Sequence, residues 1–125
     1  MENITWPQKA LAALAHGGWL LAGVGYLLLP FIIWLCRRSD PFVAWHAKQA
    51  MICQLLYIVL LVVLTVAGAL VFGVQDGGGV WLLVAVLIIL GLVWFACAVV
   101  AIVKALNGEL YTYPGLQRFM KKENQ

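Results

Sequence analysis

The stretch Leu55–Val74, with the sequence LLYIVLLVVLTVAGALVFGV, sets the fold class of this chain. It contains no charged residue, and its polar and apolar residues do not alternate. The hydrocarbon core of a bilayer is about 30 Å thick, and about 20 helical residues cross it. Because backbone groups in lipid must form their hydrogen bonds within the segment, this stretch predicts a transmembrane helix.

Two further apolar stretches flank it, Ala10–Cys36 before it and Val80–Val103 after it. The 125 residues are 65% hydrophobic and 10% charged, whereas about a quarter of the residues in soluble domains are charged. The first stretch is too long for the apolar part of a signal peptide, so we expect it to be retained. We predict an all-α polytopic membrane protein, a single domain over residues 1–125, with three transmembrane helices.

The basic residues fall almost entirely on one side of these three predicted spans. Lys9 is the exception, and the others are Arg37, Arg38, Lys48, Lys104, Arg118, Lys121 and Lys122. Since cytoplasmic loops are enriched in Lys and Arg, the N-terminus is predicted outside and the C-terminus in the cytoplasm. The same charges predict contacts with anionic lipid headgroups, not with nucleic acid.

An amphipathic helix over residues 41–54 is predicted to lead into the second span on the cytoplasmic side. Asp40 is a suitable N-cap for it, and proline, which follows, is favoured at the first helical position. His46 and Gln49 are three residues apart and share one helical face, with Gln54 beside it. The pattern leaves open whether this helix lies in the membrane interface or extends the second span.

The third helix is predicted to end at Asn107-Gly108, since glycine commonly follows a helix C-terminus. An aromatic segment and a basic tail follow over residues 109–125, on the same predicted membrane face as the 41–54 helix. We therefore expect hydrogen bonds between the two regions. The residues involved are also candidates for contacting a partner or ligand: His46, Gln49, Gln54, Glu109, Tyr111 and Tyr113.

His16 lies within the first predicted span. An ionisable residue in a span is a functional candidate, but a neutral histidine can equally hydrogen-bond to a neighbouring helix, and both interpretations stay open. Small residues let helices approach closely. The candidate packing positions are Ala13, Gly17, Gly18, Ala22, Cys97 and Ala101.

No metal or cofactor site is predicted. His46 and Cys53 share a helical face, but they are about 10.5 Å apart along the helix axis, too far to bind one ion. The three cysteines show neither a zinc pattern nor a disulfide framework. No Ser-His-Asp, Cys-His or paired-carboxylate arrangement stands at catalytic spacing, so the chain is not predicted to be an enzyme.

The motifs Ser39-Asp40-Pro41-Phe42-Val43 with His46, and Asn107-Gly108-Glu109 with Tyr113-Pro114, resemble a family of small bacterial membrane proteins of unknown function. That family is distantly similar to the twenty-kilodalton subunit of the chloroplast inner-envelope import translocon. The resemblance runs from about Ala10 to Leu116. It implies a helical protein of the bacterial cytoplasmic membrane, associated with protein transport and without established catalytic residues.

The leading functional interpretation is a non-enzymatic scaffold or accessory subunit in membrane protein assembly or transport. It predicts a homo-oligomer or a complex with another membrane protein. The alternative is a homo-oligomeric channel or small-solute transporter, although no acidic residue lies within a predicted span to carry protons or cations. A lipid-sensing protein that uses its basic face is a third interpretation.

Overall fold

The computed structural model describes residues 3–20, 25–73 and 77–120. Every regular element in these ranges is helical, which confirms the all-α prediction. In chain order the helices are α1 (Trp6–His16), a short 3-10 turn (Gly17–Leu20), α2 (Gly25–Arg37), α3 (Pro41–Phe72), α4 (Gly77–Asn107) and α5 (Gln117–Met120).

Two helices, α3 with 32 residues and α4 with 31, are long and apolar enough to cross a membrane. Over residues 55–72 of α3 and 80–96 of α4 most of the apolar side chains are exposed, for example Val66 and Leu70 of α3 and Leu92 of α4. A large apolar surface of this kind is stable only when something other than water covers it. These two helices agree with the prediction of a membrane protein.

The first apolar stretch differs from the prediction of one continuous span over residues 10–36. It contains α1, with 11 residues, the 3-10 turn, and α2, with 13 residues. Each of these helices is shorter than the about 20 residues that cross a bilayer. The described residues therefore contain two helices of spanning length, and a third is not shown.

The break follows from residues at both ends of α1. The helix starts early, because Thr5 and Gln8 form a capping box ahead of Trp6. It gives way to the 3-10 turn at Gly17-Gly18, two consecutive residues of low helix propensity. Gly18 also packs so tightly that a Cβ there would lie 3.3 Å from the Tyr26 carbonyl oxygen.

Helix α3 continues without interruption from the amphipathic segment into the apolar one. It begins at the predicted cap, where the Asp40 carboxylate accepts hydrogen bonds from the amides of Phe42 and Val43, each at 3.1 Å. Helix α4 ends before Gly108, which has a φ of 78°. A glycine tolerates this left-handed backbone without the steric cost of a Cβ.

The beginning of α1 lies beside the beginning of α3 and the end of α4. The Gln8 amide donates a hydrogen bond of 2.8 Å to the Asp40 carboxylate. A Cβ at Gly108 would lie 3.0 Å from the Lys9 side chain. The prediction separated Lys9 from the other basic residues by one span, and the structure instead places it with them, because α1 and α2 form a hairpin that returns to the same end.

The molecule has two parts that differ in how far their side chains are buried. We call residues 3–20, 25–54 and 98–120 the head, and residues 55–73 and 77–97 the apolar hairpin. The main buried cluster of the head joins α1, α2, α3 and α4 through apolar side chains, most of them alanine: Ala12, Ala15, Ile33, Phe42, Val43, Ala47, Ala50 and Ala105. In the apolar hairpin, α3 approaches α4 closely at Gly68, where a Cβ would lie 2.6 Å from Leu83.

Candidate functional site

The head encloses a continuous chain of hydrogen-bonded polar groups from three parts of the sequence. The Tyr113 hydroxyl lies 3.0 Å from Nδ1 of His16. Nε2 of His16 lies 3.0 Å from Nδ1 of His46, and Nε2 of His46 lies 3.1 Å from the Glu109 carbonyl oxygen. These hydrogen bonds thus join the end of α1, the first half of α3 and the segment that follows α4.

The partners determine the direction of each hydrogen bond. A carbonyl oxygen only accepts, so His46 donates from Nε2 to Glu109 and, when neutral, accepts at Nδ1. His16 must then donate from Nε2 and accept at Nδ1 from the Tyr113 hydroxyl. Both imidazoles are neutral in this arrangement, and all four of their ring nitrogens have a partner.

The three side chains are withdrawn from solvent, with exposed fractions of 1% for His16, 0% for His46 and 4% for Tyr113. A buried polar group without a partner costs about 1–3 kcal/mol, so each bond in the chain matters for the stability of the head. Burial raises the pKa of the Tyr113 hydroxyl above its usual value, with nearby Cys53 adding to the shift. The hydroxyl therefore keeps its proton and remains a donor at neutral pH.

Aromatic rings surround this polar chain. The Phe42 ring meets His46 edge-on at a centroid distance of 4.8 Å. On the other side, Trp94 stacks on Tyr113 at 5.8 Å, and Tyr57 stacks on Trp94 at 5.1 Å. The stack orients the Tyr113 ring towards His16 and links the head to the base of the apolar hairpin.

A second set of contacts holds the segment after α4 against α3. Nε1 of Trp45 donates to the Tyr111 carbonyl oxygen at 3.1 Å, and the Tyr113 amide donates to the Gln49 side-chain oxygen at 3.5 Å. The Glu109 carboxylate forms an ion pair with Lys104. The segment is therefore attached to α3 through its backbone, which is how it presents Tyr113 to His16.

The predicted contacts between helix 41–54 and the segment over residues 109–113 are present for His46 and Gln49. Glu109 and Tyr111 take part through their carbonyl oxygens instead of their side chains. Gln54 is buried elsewhere, with its amide nitrogen 3.7 Å from the position of a Cβ at Gly18. Whether any of these residues contacts a partner or ligand stays a prediction.

His16 belongs to this site, although the sequence prediction placed it within the first span and His46 outside the spans, in the helix over residues 41–54. The signal that could have placed it correctly is Gly17-Gly18, which ends α1 directly after His16. The contributions of Trp45 and Trp94 were also missed, because tryptophans near membrane interfaces need no specific partner to explain them.

The candidate packing residues occupy different surroundings. Ala101 is fully buried and Gly18 is buried, while Ala13 and Cys97 are partly buried against the head's clusters. A Cβ at Gly17 would meet no atom within 4 Å, and Ala22 lies outside the described residues. Ala101 and Gly18 therefore pack within the chain itself, and their use between copies of the chain stays a prediction.

Within residues 3–20, 25–73 and 77–120, no three His, Cys, Asp or Glu side chains are grouped so that they could hold a metal ion. The polar chain is closed at both ends by its own partners, since Tyr113 donates at one end and Glu109 accepts at the other. Its geometry fits a structural bond between helices.

The family model of the magnetosome magnetite crystal formation proteins, MamF/MmsF, matches residues 7–120, nearly the whole chain. The chain belongs to this family. The resemblance to the family related to the chloroplast import subunit is therefore wrong, and the family match gives no support to the link to protein transport that it implied. No curated protein matches the chain, and no solved structure matches it.

Proposed function

We propose that this member of the MamF/MmsF family is a non-enzymatic membrane protein that serves magnetite crystal formation as a scaffold or accessory subunit. The observation that carries the proposal is the division of the molecule into an exposed apolar hairpin and a closed, hydrogen-bonded head. The part of α3 within the apolar hairpin is about 27 Å long at 1.5 Å per residue, close to the about 30 Å of a bilayer core. The family supplies the process in which the protein acts.

The proposed topology has two crossings, with both termini on the same side of the membrane. Supporting this, the start of α1 contacts the Asp40 cap and approaches Gly108. Every Lys and Arg of the sequence lies outside the apolar stretch from Leu55 to Cys97. By the positive-inside rule the head then faces the cytoplasm, and the turn between α3 and α4 faces the other compartment.

Labelling of single cysteines tests this topology in sealed membrane vesicles. We would introduce Asn3→Cys, Leu110→Cys or Gly77→Cys into a chain whose native cysteines are replaced by serine. A membrane-impermeant maleimide is expected to label Asn3→Cys and Leu110→Cys from the same side, and Gly77→Cys from the other. Labelling of Asn3→Cys from the same side as Gly77→Cys would restore the odd number of spans and reject the proposal.

The proposed role is tested in a magnetite-forming host that lacks this chain. The size distribution of magnetite crystals, measured by electron microscopy, is expected to change and to recover with the wild-type chain. Gly68→Leu should not restore it, because the new side chain collides with Leu83, whereas Ala67→Leu, on the exposed side of α3, should. Unchanged crystals in the deletion strain would contradict the role in crystal formation.

The scaffold interpretation also predicts a stable assembly, either of several copies or with another membrane protein. Native mass spectrometry of the complex in lipid nanodiscs measures this directly. A lone chain that still supports normal crystals would argue against a scaffold.

A further inference from the structure

Helix α2 carries an apolar stripe that no described part of the chain covers. Leu28, Phe31, Ile32 and Leu35 have exposed fractions between 45% and 51%. Their spacing of three, one and three residues places them on one helical face. Pro30 and Ile33, on the opposite face, are buried in the head.

The stripe ends at two adjacent cations. Arg37 is the last residue of α2, Arg38 follows it, and both are exposed. Among residues 3–20, 25–73 and 77–120, the two carboxylates are already engaged. Asp40 caps α3 and binds Gln8, while Glu109 pairs with Lys104.

We propose that α2 lies in the membrane interface, with its apolar stripe in the acyl chains of one leaflet and Arg37 and Arg38 bound to anionic lipid phosphates. With 13 residues, α2 is about 20 Å long and too short to cross. A helix with one apolar face and a basic end is typical of a segment that lies in the plane of the interface.

Lipid fits this surface better than a second copy of the chain does. The stripe belongs to the same molecule as the apolar hairpin, whose exposed residues already require a bilayer. Guanidinium groups bind phosphate oxygens through paired hydrogen bonds. Among the described residues, a second copy would bring no unengaged carboxylate to these arginines, since Asp40 caps α3 and Glu109 pairs with Lys104.

This inference rests on the proposed membrane location, and the experiment separates the two. Nitroxide labels are placed singly at Ile32→Cys, Val66→Cys or Leu110→Cys in the serine background, in nanodiscs. Their collision rates with oxygen and with a water-soluble nickel chelate report depth. We expect Val66 to be deep in lipid, Ile32 in lipid but shallower, and Leu110 in water.

Other accessibilities of the labels at Ile32 and Val66 would contradict either the inference or the proposed function. A label at Ile32 that is shielded from both reagents, with Val66 still in lipid, means that protein covers the stripe and overturns the inference. Contact of Ile32 with the nickel chelate overturns it as well. Contact of Val66 with the chelate contradicts the proposed function itself.

The headgroup contact is tested by counting the lipids that remain on the chain after release from nanodiscs of mixed phosphatidylglycerol and phosphatidylcholine. Enrichment of the anionic lipid is expected to fall about fivefold for each arginine changed in Arg37→Gln and Arg38→Gln. Lys9→Gln, on α1, is the matched control and should change it less. Equal loss in all three variants would overturn the assignment to α2.

Free phosphate is distinguished from lipid by thermal unfolding of the wild-type chain. The midpoint should rise from phosphatidylcholine discs to discs containing phosphatidylglycerol. Inorganic phosphate added to the phosphatidylcholine discs should give no such rise. An equal rise with inorganic phosphate would assign the arginines to a soluble anion and overturn the lipid proposal.

Discussion

The pair of histidines in the head permits a quantitative test through a double-mutant cycle. His46→Leu leaves two buried groups without a partner, the Nε2–H of His16 and the Glu109 carbonyl. His16→Leu also leaves two, Nδ1 of His46 and the Tyr113 hydroxyl. At about 1–3 kcal/mol for each unpaired group, either change should lower the free energy of unfolding by about 2–6 kcal/mol.

The double variant is expected to cost about half the sum of the single changes. Replacing both histidines removes the two groups that faced each other and leaves only the Tyr113 hydroxyl and the Glu109 carbonyl unpaired. The cycle should therefore show a coupling of about 2–6 kcal/mol, equal to two unpaired groups.

Equilibrium unfolding in mixed micelles, followed by circular dichroism, measures all four free energies. The same cycle on His46 and Trp34, which share no hydrogen bond among those described, is the control and should give additive costs. If His16→Leu and His46→Leu were additive as well, the imidazoles would not contact each other, and the packing of α1 against α3 would be wrong.

Three further predictions concern other contacts. The pKa of Tyr113 is raised in the folded state, so the stability that its hydroxyl contributes should be present below about pH 10 and decline above it. In the same unfolding assay, Tyr113→Phe should be less stable than the wild-type chain at neutral pH. Its free energy of unfolding should also fall less as the pH rises above about 10. Asp40→Ala should lower the free energy of unfolding by about 0.5–2 kcal/mol through loss of the α3 cap, whereas Asp40→Asn should restore most of it. Gly68→Leu should lower it by about 1–3 kcal/mol through overpacking against Leu83, and a cost no larger than that of Ala67→Leu would show that the two helices are not in close contact there.

The features that the sequence predicts well are those that depend on local chemistry. Apolar length gives α3 and α4, because lipid demands continuous helices of sufficient length. Asp40 before Pro41 gives the start of α3, since capping depends only on neighbouring amides. The helical spacing of His46 and Gln49 also gives their shared face, which the structure directs at the segment after α4.

The identity of the contact partners could not be obtained in the same way. A motif shows that Glu109 and Tyr111 follow the C-terminal end of α4, but it does not show that their carbonyl oxygens are the groups that bind. Backbone acceptors are the same in every residue, so no sequence pattern marks them. The stack of Tyr57, Trp94 and Tyr113 could not be predicted either, because it joins residues that are far apart in the sequence.

The largest difference between the predicted and the observed fold is the interruption of the first predicted span at Gly17-Gly18. Several other differences follow from it. The sequence predicts one continuous helix over residues 10–36, because glycine is common within membrane helices and its presence does not indicate a break. Once the helix ends at His16, the chain turns back, and Lys9 joins the other basic residues at the head. The same arrangement brings His16 to His46 and leaves the apolar stripe of α2 exposed. An uninterrupted first helix would separate the two histidines and move the N-terminus away from the head. The predicted coupling between the histidines and the predicted position of the N-terminus are therefore either both right or both wrong.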